Sequence, residues 1–380
     1  MPSPYTTHVC LVSDQATPNL IPFLDPVFRP ATVVLVVSAD MRARAQALAE
    51  VIRPLGVVVN EVTVADPWNL RLLEEEFLTL LAAHETENIA VNISGGTKPM
   101  AIAAQKVFSE NNRPVFFVHP QRDEIVFVGA AEVPYHLHNT LRISQYLTAH
   151  GYGMTSGDRT ARLARGEREL TQTLIREHAR FGHALGYLNY LAGSAKKDKA
   201  LASDEIEARS GSNVDFLELL DLFGGAGLLV REASRLVFAD EAARFHVNGG
   251  WLEHHVFGVV SDLRGPCAIQ DVLLNVQVTH PGGTRNELDV AVLAGNRLSL
   301  IECKTRSFRP RDGLEPAADA LYKLDSLTAL GGLRTRGMLV SYQPLKDFEE
   351  QRAKDLGIKP VVGGSLARLP EILSQWLGPR

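Results

Sequence analysis

Two apolar runs around Gly295-Asn296 constrain this chain more than any other stretch. One reads Asn286-Glu287-Leu288-Asp289-Val290-Ala291-Val292-Leu293-Ala294. The other reads Arg297-Leu298-Ser299-Leu300-Ile301-Glu302-Cys303-Lys304. Two such runs joined by two residues are a hairpin signal, and glycine at the first central position suits a type II′ turn. In that register Ala294 faces Arg297, Asp289 faces Glu302, and Glu287 faces Lys304. Strand alternation puts Glu302 and Lys304 on one face and turns Cys303 away into packing.

Directly opposed residues have Cβ atoms about 5 Å apart, and like charges there repel. The flanking residues are apolar, so the acidic pair is half-buried. It holds together if a cation lies between the acids or one of them is protonated. Paired carboxylate oxygens suit Mg²⁺ or Mn²⁺. Lys304, one strand step away, can activate a water or hold a phosphate. A surface hairpin with its charges in water would share these letters; the spacing D-(x)12-E-x-K argues against it.

These residues resemble the PD-(D/E)xK nuclease superfamily, whose core is a hairpin bearing Asp and then Glu-x-Lys. The preceding helix in that superfamily often carries a Glu. Here Gly249-Gly250-Trp251-Leu252-Glu253 opens an apparent helix, and Glu253 matches that position. The resemblance implies a catalytic set of Glu253, Asp289, Glu302 and Lys304. It also implies one or two Mg²⁺ or Mn²⁺ ions held by Asp289, Glu302, Glu253 and the backbone carbonyl of Cys303. Arg306-Ser307-Phe308-Arg309-Pro310-Arg311 follows, three arginines and an aromatic suited to a nucleic-acid strand. Lys323, on the next helix, is a further candidate for the site. His254, His255 and His280 lack zinc-ligand spacing and read as structural or solvent-facing.

The first 130 residues alternate strand and helix. Residues 8–13, 32–38, 57–62 and 89–93 read as strands, and residues 20–28, 42–53, 69–83 and 100–110 as helices. That order predicts βαβ units and a mostly parallel sheet, which binds ligands beyond the carboxyl ends of its strands. Two loops stand there: residues 13–19, and Ser94-Gly95-Gly96-Thr97-Lys98 between a strand and a helix. The glycines allow close backbone approach, the helix start favours anions, and Lys98 adds a full charge. Neither a Walker A loop nor G-x-G-x-x-G is present.

Together, Val12-Ser13-Asp14-Gln15…Asn19 and Asn92-Ile93-Ser94-Gly95-Gly96-Thr97-Lys98 resemble CARF domains, the Rossmann-like sensors of cyclic oligoadenylates in CRISPR systems. The resemblance implies a ligand shell of Ser13, Gln15, Asn19, Ser94, Gly95, Gly96, Thr97 and Lys98. It also implies a homodimer holding the ring on its two-fold axis. Trp68 is a weaker candidate for stacking on a base; tryptophan after Asp66-Pro67 more often serves as a core or cap residue.

At 380 residues two or more domains are expected, and 45% hydrophobic content supplies an ordinary core. The net charge of −5 argues against a constitutive non-specific nucleic-acid binder. Three cysteines without C-x-x-C suit a reduced, cytoplasmic setting, and neither a signal peptide nor a membrane-length apolar run stands out. Residues 151–157 read as a glycine-rich link. Arg159, Arg162, Arg165 and Arg168 read as a solvated helix face, and residues 195–199 as a polar loop. Two short helices and a hairpin then resemble a winged helix.

The whole chain resembles an α/β protein in three parts: a CARF sensor over 1–150, a connecting winged-helix-like region over 151–245, and a PD-(D/E)xK domain over 246–380. This architecture implies a cyclic tetra-adenylate-activated, metal-dependent endonuclease of type III CRISPR defence that cuts DNA or RNA. Two other functions share parts of the pattern. One is a CARF–winged-helix DNA-binding regulator. The other is a ring nuclease whose sensor loops cut the cyclic ligand.

Overall fold

The computed structural model describes residues 4–119, 122–129, 134–138, 141–197, 201–305 and 316–378. The chain begins with β1 (Thr7–Leu11), α1 (Thr17–Leu24), β2 (Thr32–Val37), α2 (Arg42–Ile52), β3 (Val58–Thr63), α3 (Leu70–Ala83), β4 (Ile89–Asn92) and α4 (Lys98–Glu110). β5 (Val115–His119), β6 (Glu124–Phe127), β7 (Tyr135–His136) and α5 (Ile143–Ala149) complete this unit. Its sheet runs β3-β2-β1-β4-β5-β6-β7. The first five strands in that order are parallel and the last two pair antiparallel. β1 and β4 are buried along their whole length, as continuous apolar runs in a sheet covered on both faces should be. Their carboxyl ends lie side by side at the point where strand order reverses, with Cys10 beside Asn92. Each of the two loops singled out above leaves one of these ends.

β8 (Gly153–Asp158) comes next, then α6 (Arg165–Arg176), α7 (His178–Lys197), α8 (Val214–Gly225), and a hairpin of β9 (Leu229–Glu232) and β10 (Arg235–Phe238). Of the helix–helix–hairpin outline expected from sequence, the second helix and the hairpin are present. The glycine-rich link holds β8, which pairs with the far sheet. Residues 195–197 extend α7 where a polar loop was expected, and residues 198–199 of that loop lie outside the described set. Residues 203–209 form no helix. The four arginines share no helix face. Arg159 and Arg162 precede α6, and Arg159 binds Asp271.

α9 (Glu241–Phe245), α10 (Trp251–Asp262), β11 (Ile269–Thr279), β12 (Arg285–Ala294) and β13 (Arg297–Lys304) follow. α11 (Pro316–Thr328), β14 (Arg336–Ser341), α12 (Asp347–Asp355), β15 (Lys359–Val362) and α13 (Leu369–Leu377) close the chain. The second sheet runs β15-β14-β13-β12-β11-β8. Alternation along β13 sends Leu298 and Leu300 into one buried cluster and Ile301 and Cys303 into the other.

The two units share a core. One buried apolar cluster contains Leu35 and Tyr146 of the first unit together with Leu298 and Leu339 of the second. Polar bonds reinforce this junction. Asp271 of β11, fully buried, accepts the Ile143 N–H at the start of α5 (3.0 Å) and pairs with Arg159 (3.2 and 3.0 Å). Among the described residues no helix is long and apolar enough to cross a membrane. Cys10, Cys267 and Cys303 are buried free thiols.

His8 lies fully buried in β1 among the rings of Tyr5, Phe23, Phe28 and Phe116, and its ring nitrogens have no partner among the described residues. Burial lowers its pKa to about 3. The unfolded chain protonates this ring near pH 6.5 and the folded chain does not. The stability tied to His8 is therefore complete above pH 6.5 and is lost as the pH falls below it. Between pH 7 and pH 5 the loss from one such group is about 2 kcal/mol. In urea unfolding at the two pH values, His8→Phe should flatten the difference by that amount. An unchanged difference would show that His8 is not the titrating group.

Candidate active site and ligand loops

The β12–β13 ladder has the register expected from sequence, from Ala294 opposite Arg297 to Val290 opposite Ile301. The turn differs. Gly295 and Asn296 both have positive φ (54° and 51°), which makes a type I′ turn. Asn296 tolerates that conformation because its surroundings hold it. Its N–H and side-chain oxygen bond Gln270 (both 2.8 Å), and its amide donates to Asp123 of the first unit (2.8 Å).

Just beyond the last ladder pair the two acids face each other. Asp289 Oδ2 accepts the backbone N–H of Cys303 at 2.7 Å, so a side chain takes the amide next beyond the Val290–Ile301 pair. That bond holds Asp289 across from Glu302, which is 1% exposed. A cation does lie between them, the ammonium of Lys304. Its Nζ is 2.5 Å from Glu302 Oε1 and 3.9 Å from Asp289 Oδ2. Lys323 of α11 adds a second ammonium, 3.0 and 3.2 Å from the two Glu302 oxygens. Glu287 is exposed at the strand's open end.

Glu253 enters on the first turn of α10, where a helix start favours a carboxylate. Gly249 (φ 119°) lets this helix press against the end of β13, since a Cβ there would collide with the Thr305 hydroxyl. Asn189 of α7 donates to that same hydroxyl (2.9 Å). The electrostatics follow from crowding. Burial, then the Asp289 charge, pushes Glu253 up to about 8. Burial, then the Glu302 charge, pushes Asp289 up to about 6. Burial alone would lower the Lys304 amine, but Asp289 and Glu302 outweigh it and raise it, so Lys304 is held as an ammonium. The Cys303 thiol packs into the apolar cluster on the opposite face.

Three hard-oxygen side chains, with the pKa values of Glu253 and Asp289 raised by burial and neighbouring acid charge, are a donor set that suits a divalent cation. Asp289 Oδ1 remains for such a ligand, because Oδ2 takes the Cys303 amide. Among the described residues no three His, Cys, Asp or Glu side chains converge on a ready-made metal position; Glu302 is turned to the lysines instead. His254 bonds the Gly250 carbonyl (2.8 Å), a structural role. The basic run 306–311 lies outside the described residues.

At the other end the two loops lock together. Asn92 Oδ1 accepts from the Ser94 N–H and hydroxyl (3.0 and 2.6 Å), and Asn92 Nδ2 donates to Pro18 O and Asn19 Oδ1 (3.0 and 3.1 Å). Asn19, 1% exposed, donates to Leu11 O at 2.7 Å. Asn19 therefore ties the loops together from beneath. A Cβ at Gly95 would strike Leu11 O and stand 3.0 Å from Ser13 Oγ, so loop contact alone requires this glycine. Gly96 has φ 72°. Thr97 caps α4, accepting from Met100 N (3.3 Å), while its hydroxyl donates to Pro67 O (2.6 Å). That bond sets the neighbouring Trp68, 71% exposed and not in the core, beside the glycine loop. Lys98 is exposed at the first turn of α4. Gln15 turns toward the second unit, packing against Gly332.

Residues 7–146 match the family model of the Card1 CARF domain, and residues 239–378 match the Card1-like endonuclease domain. The chain is a CARF domain joined to a Card1-like endonuclease domain. Solved structures agree along nearly the whole chain. Protein VC1899 from Vibrio cholerae is 29% identical with a TM-score of 0.87, covering 98% of this chain and 99% of that one. Can2 from Sulfobacillus thermosulfidooxidans, solved with cyclic tetra-adenylate, is 27% identical with a TM-score of 0.82 and the same coverage. A type III CRISPR defence DNA nuclease activated by cyclic oligoadenylate shares the fold at 17% identity and a TM-score of 0.59, covering 100% of this chain and 53% of that one. No curated protein matches the chain by sequence.

Among the supporting residues, Asp271, Tyr146 and Asn189 were not singled out from sequence. Each is an ordinary polar residue in its own element, and only the tertiary contact gives it a role. The loop packing makes its own prediction. Gly95→Ala should lower stability by about 1–3 kcal/mol through overpacking. Gly186→Ala, in α7 with no atom near its Cβ position, should be neutral or stabilising by up to about 1 kcal/mol. Thermal unfolding of the two variants checks this, and equal midpoints would contradict it.

Proposed function

We propose that this CARF nuclease is a metal-dependent endonuclease switched on by a cyclic oligoadenylate, cyclic tetra-adenylate, in type III CRISPR defence. The observation that carries the reading is the buried Asp289–Glu302 pair with Lys304 between its members, in a chain whose other end carries two interlocked loops at a sheet switch point. Asp289, Glu302 and Glu253, with the Cys303 carbonyl, would hold Mn²⁺ or Mg²⁺. A bound divalent cation supplies Lewis acidity toward the phosphodiester and the attacking water. Lys304, held as an ammonium by the two acids, would orient that water and offset charge developing on the phosphate. The Cys303 amide fixes Asp289, and Glu253 completes the acidic rim. Single- or double-stranded nucleic acid is the substrate class.

In the sensor, Ser13, Gln15 and the run from Ser94 to Lys98 form the ligand surface, with Asn19 beneath it. Backbone amides at the start of α4 and the Lys98 ammonium suit phosphates, and exposed Trp68 suits an adenine face. A ring ligand matches a homodimer with two copies of these loops about its axis. The buried free thiols accord with a reducing cytoplasmic setting.

The test incubates the purified protein with labelled single-stranded RNA, single-stranded DNA and plasmid, with and without cyclic tetra-adenylate and Mn²⁺. Cleavage should require both additions and stop with EDTA. Glu302→Ala should reduce cleavage by at least about 10³-fold while ligand binding is retained. Full activity in that variant would remove the assigned site. Lys98→Ala should weaken ring binding by about tenfold, the loss of one charge-assisted phosphate contact. Unchanged affinity would overturn the loop assignment.

A further inference from the structure

Lys323 is an additional cation on the acid that the proposed chemistry most needs. Its Nζ lies 3.0 Å from Glu302 Oε1 and 3.2 Å from Oε2, while Lys304 Nζ lies 2.5 Å from Oε1. Both oxygens of Glu302 therefore already receive ammonium donors. Lys304 sits on the same strand as Glu302 and shares its framework. Lys323 comes from a different element, α11, and is 41% exposed at the side chain.

α11 leads directly into the segment that touches the sensor. Gly331 O accepts the Tyr146 hydroxyl of α5 at 2.7 Å. Gly332 (φ 72°) lies against Gln15, so that a Cβ there would stand 3.0 Å from both polar atoms of its amide. Gln15 belongs to the loop after β1, one of the two proposed ring-binding loops. A short series of contacts thus runs from the ligand loop, through residues 331–332 and one helix, to Glu302.

We propose that Lys323 gates the metal site. In the arrangement described, its ammonium competes with a divalent cation for Glu302, because a dication brought to a carboxylate that already holds two ammonium groups meets strong repulsion. Ring binding at the residue 13–19 loop shifts residues 331–332, and α11 carries Lys323 off Glu302. Glu302 Oε2, whose ammonium contact is with Lys323, is then free to ligate the metal while Lys304 stays on Oε1. The ring can drive this only by binding the withdrawn arrangement more tightly. This inference rests on the metal-dependent reading above and adds the residue through which that site is regulated.

The test measures Mn²⁺ affinity of the full-length protein by calorimetry, with and without cyclic tetra-adenylate. No nucleic acid is present, so the readout is independent of cleavage. Wild type should bind Mn²⁺ on the order of tenfold more tightly with the ring present, as expected for removing one nearby positive charge. Lys323→Met should bind tightly without the ring and gain nothing from it. Tyr146→Phe, which removes the hydroxyl that bonds Gly331, should bind the ring yet show a smaller gain in Mn²⁺ affinity. Lys323→Met behaving like wild type in both conditions would overturn the gate and leave the metal reading intact. A full gain in Tyr146→Phe would overturn the route through residue 331. Glu302→Gln separates the two levels. It should lose Mn²⁺ binding in every condition; binding equal to wild type would mean the metal reading itself fails, and the gate with it.

Discussion

The bond from the Cys303 amide to the Asp289 carboxylate is the contact on which the nuclease end depends. Up to Val290 and Ile301 the two strands are held by their backbones. One step further, a side chain takes the next amide and is fixed in place. Two acids then face each other in a setting where burial raises the pKa of Asp289. Such crowding is destabilising unless positive charge answers it, and Lys304 and Lys323 do so within the chain. The same crowding makes the position attractive to a divalent cation. Stability and chemistry at this end come from one constraint, the enforced proximity of carboxylates.

The sensor end is built by a different constraint, steric closeness. Gly95 lies on the last residue of β1, and Asn19 and Asn92 knit the two loops from below. Residues beneath the surface set its shape, and Ser13, Lys98 and Trp68 stand around it. The two ends are joined by a shared apolar cluster and by polar bonds from Asp271, Asn296 and Tyr146 that cross between units. A displacement at one unit's edge therefore meets packed side chains of the other.

Much of this was legible in sequence where periodicity was strong. The alternating strands and helices of the first unit and the hairpin register all follow from local pattern. The opposed acids followed from register alone. The turn type did not, because Asn296 is stabilised by Gln270 and Asp123, which lie far away in sequence. β8 was read as a link because Gly153-Met154-Thr155-Ser156-Gly157-Asp158 lacks apolar alternation; its pairing with β11 supplies the strand. The arginine stripe looked helical by spacing, yet the buried carboxylate of Asp271 draws Arg159 out of it. The CARF resemblance implies Asn19 as a ligand contact, whereas burial commits its amide to Leu11 and Asn92. Each miss reflects a long-range partner that no local window contains.

The central claim is that the Asp289–Glu302 pair is a divalent-metal position. Anomalous diffraction at the manganese edge, from crystals grown with Mn²⁺ and cyclic tetra-adenylate, tests it directly. The account predicts a peak in direct ligand contact with both Asp289 and Glu302. A well-ordered site with no peak, or manganese bound elsewhere while both acids remain on lysines, would contradict it.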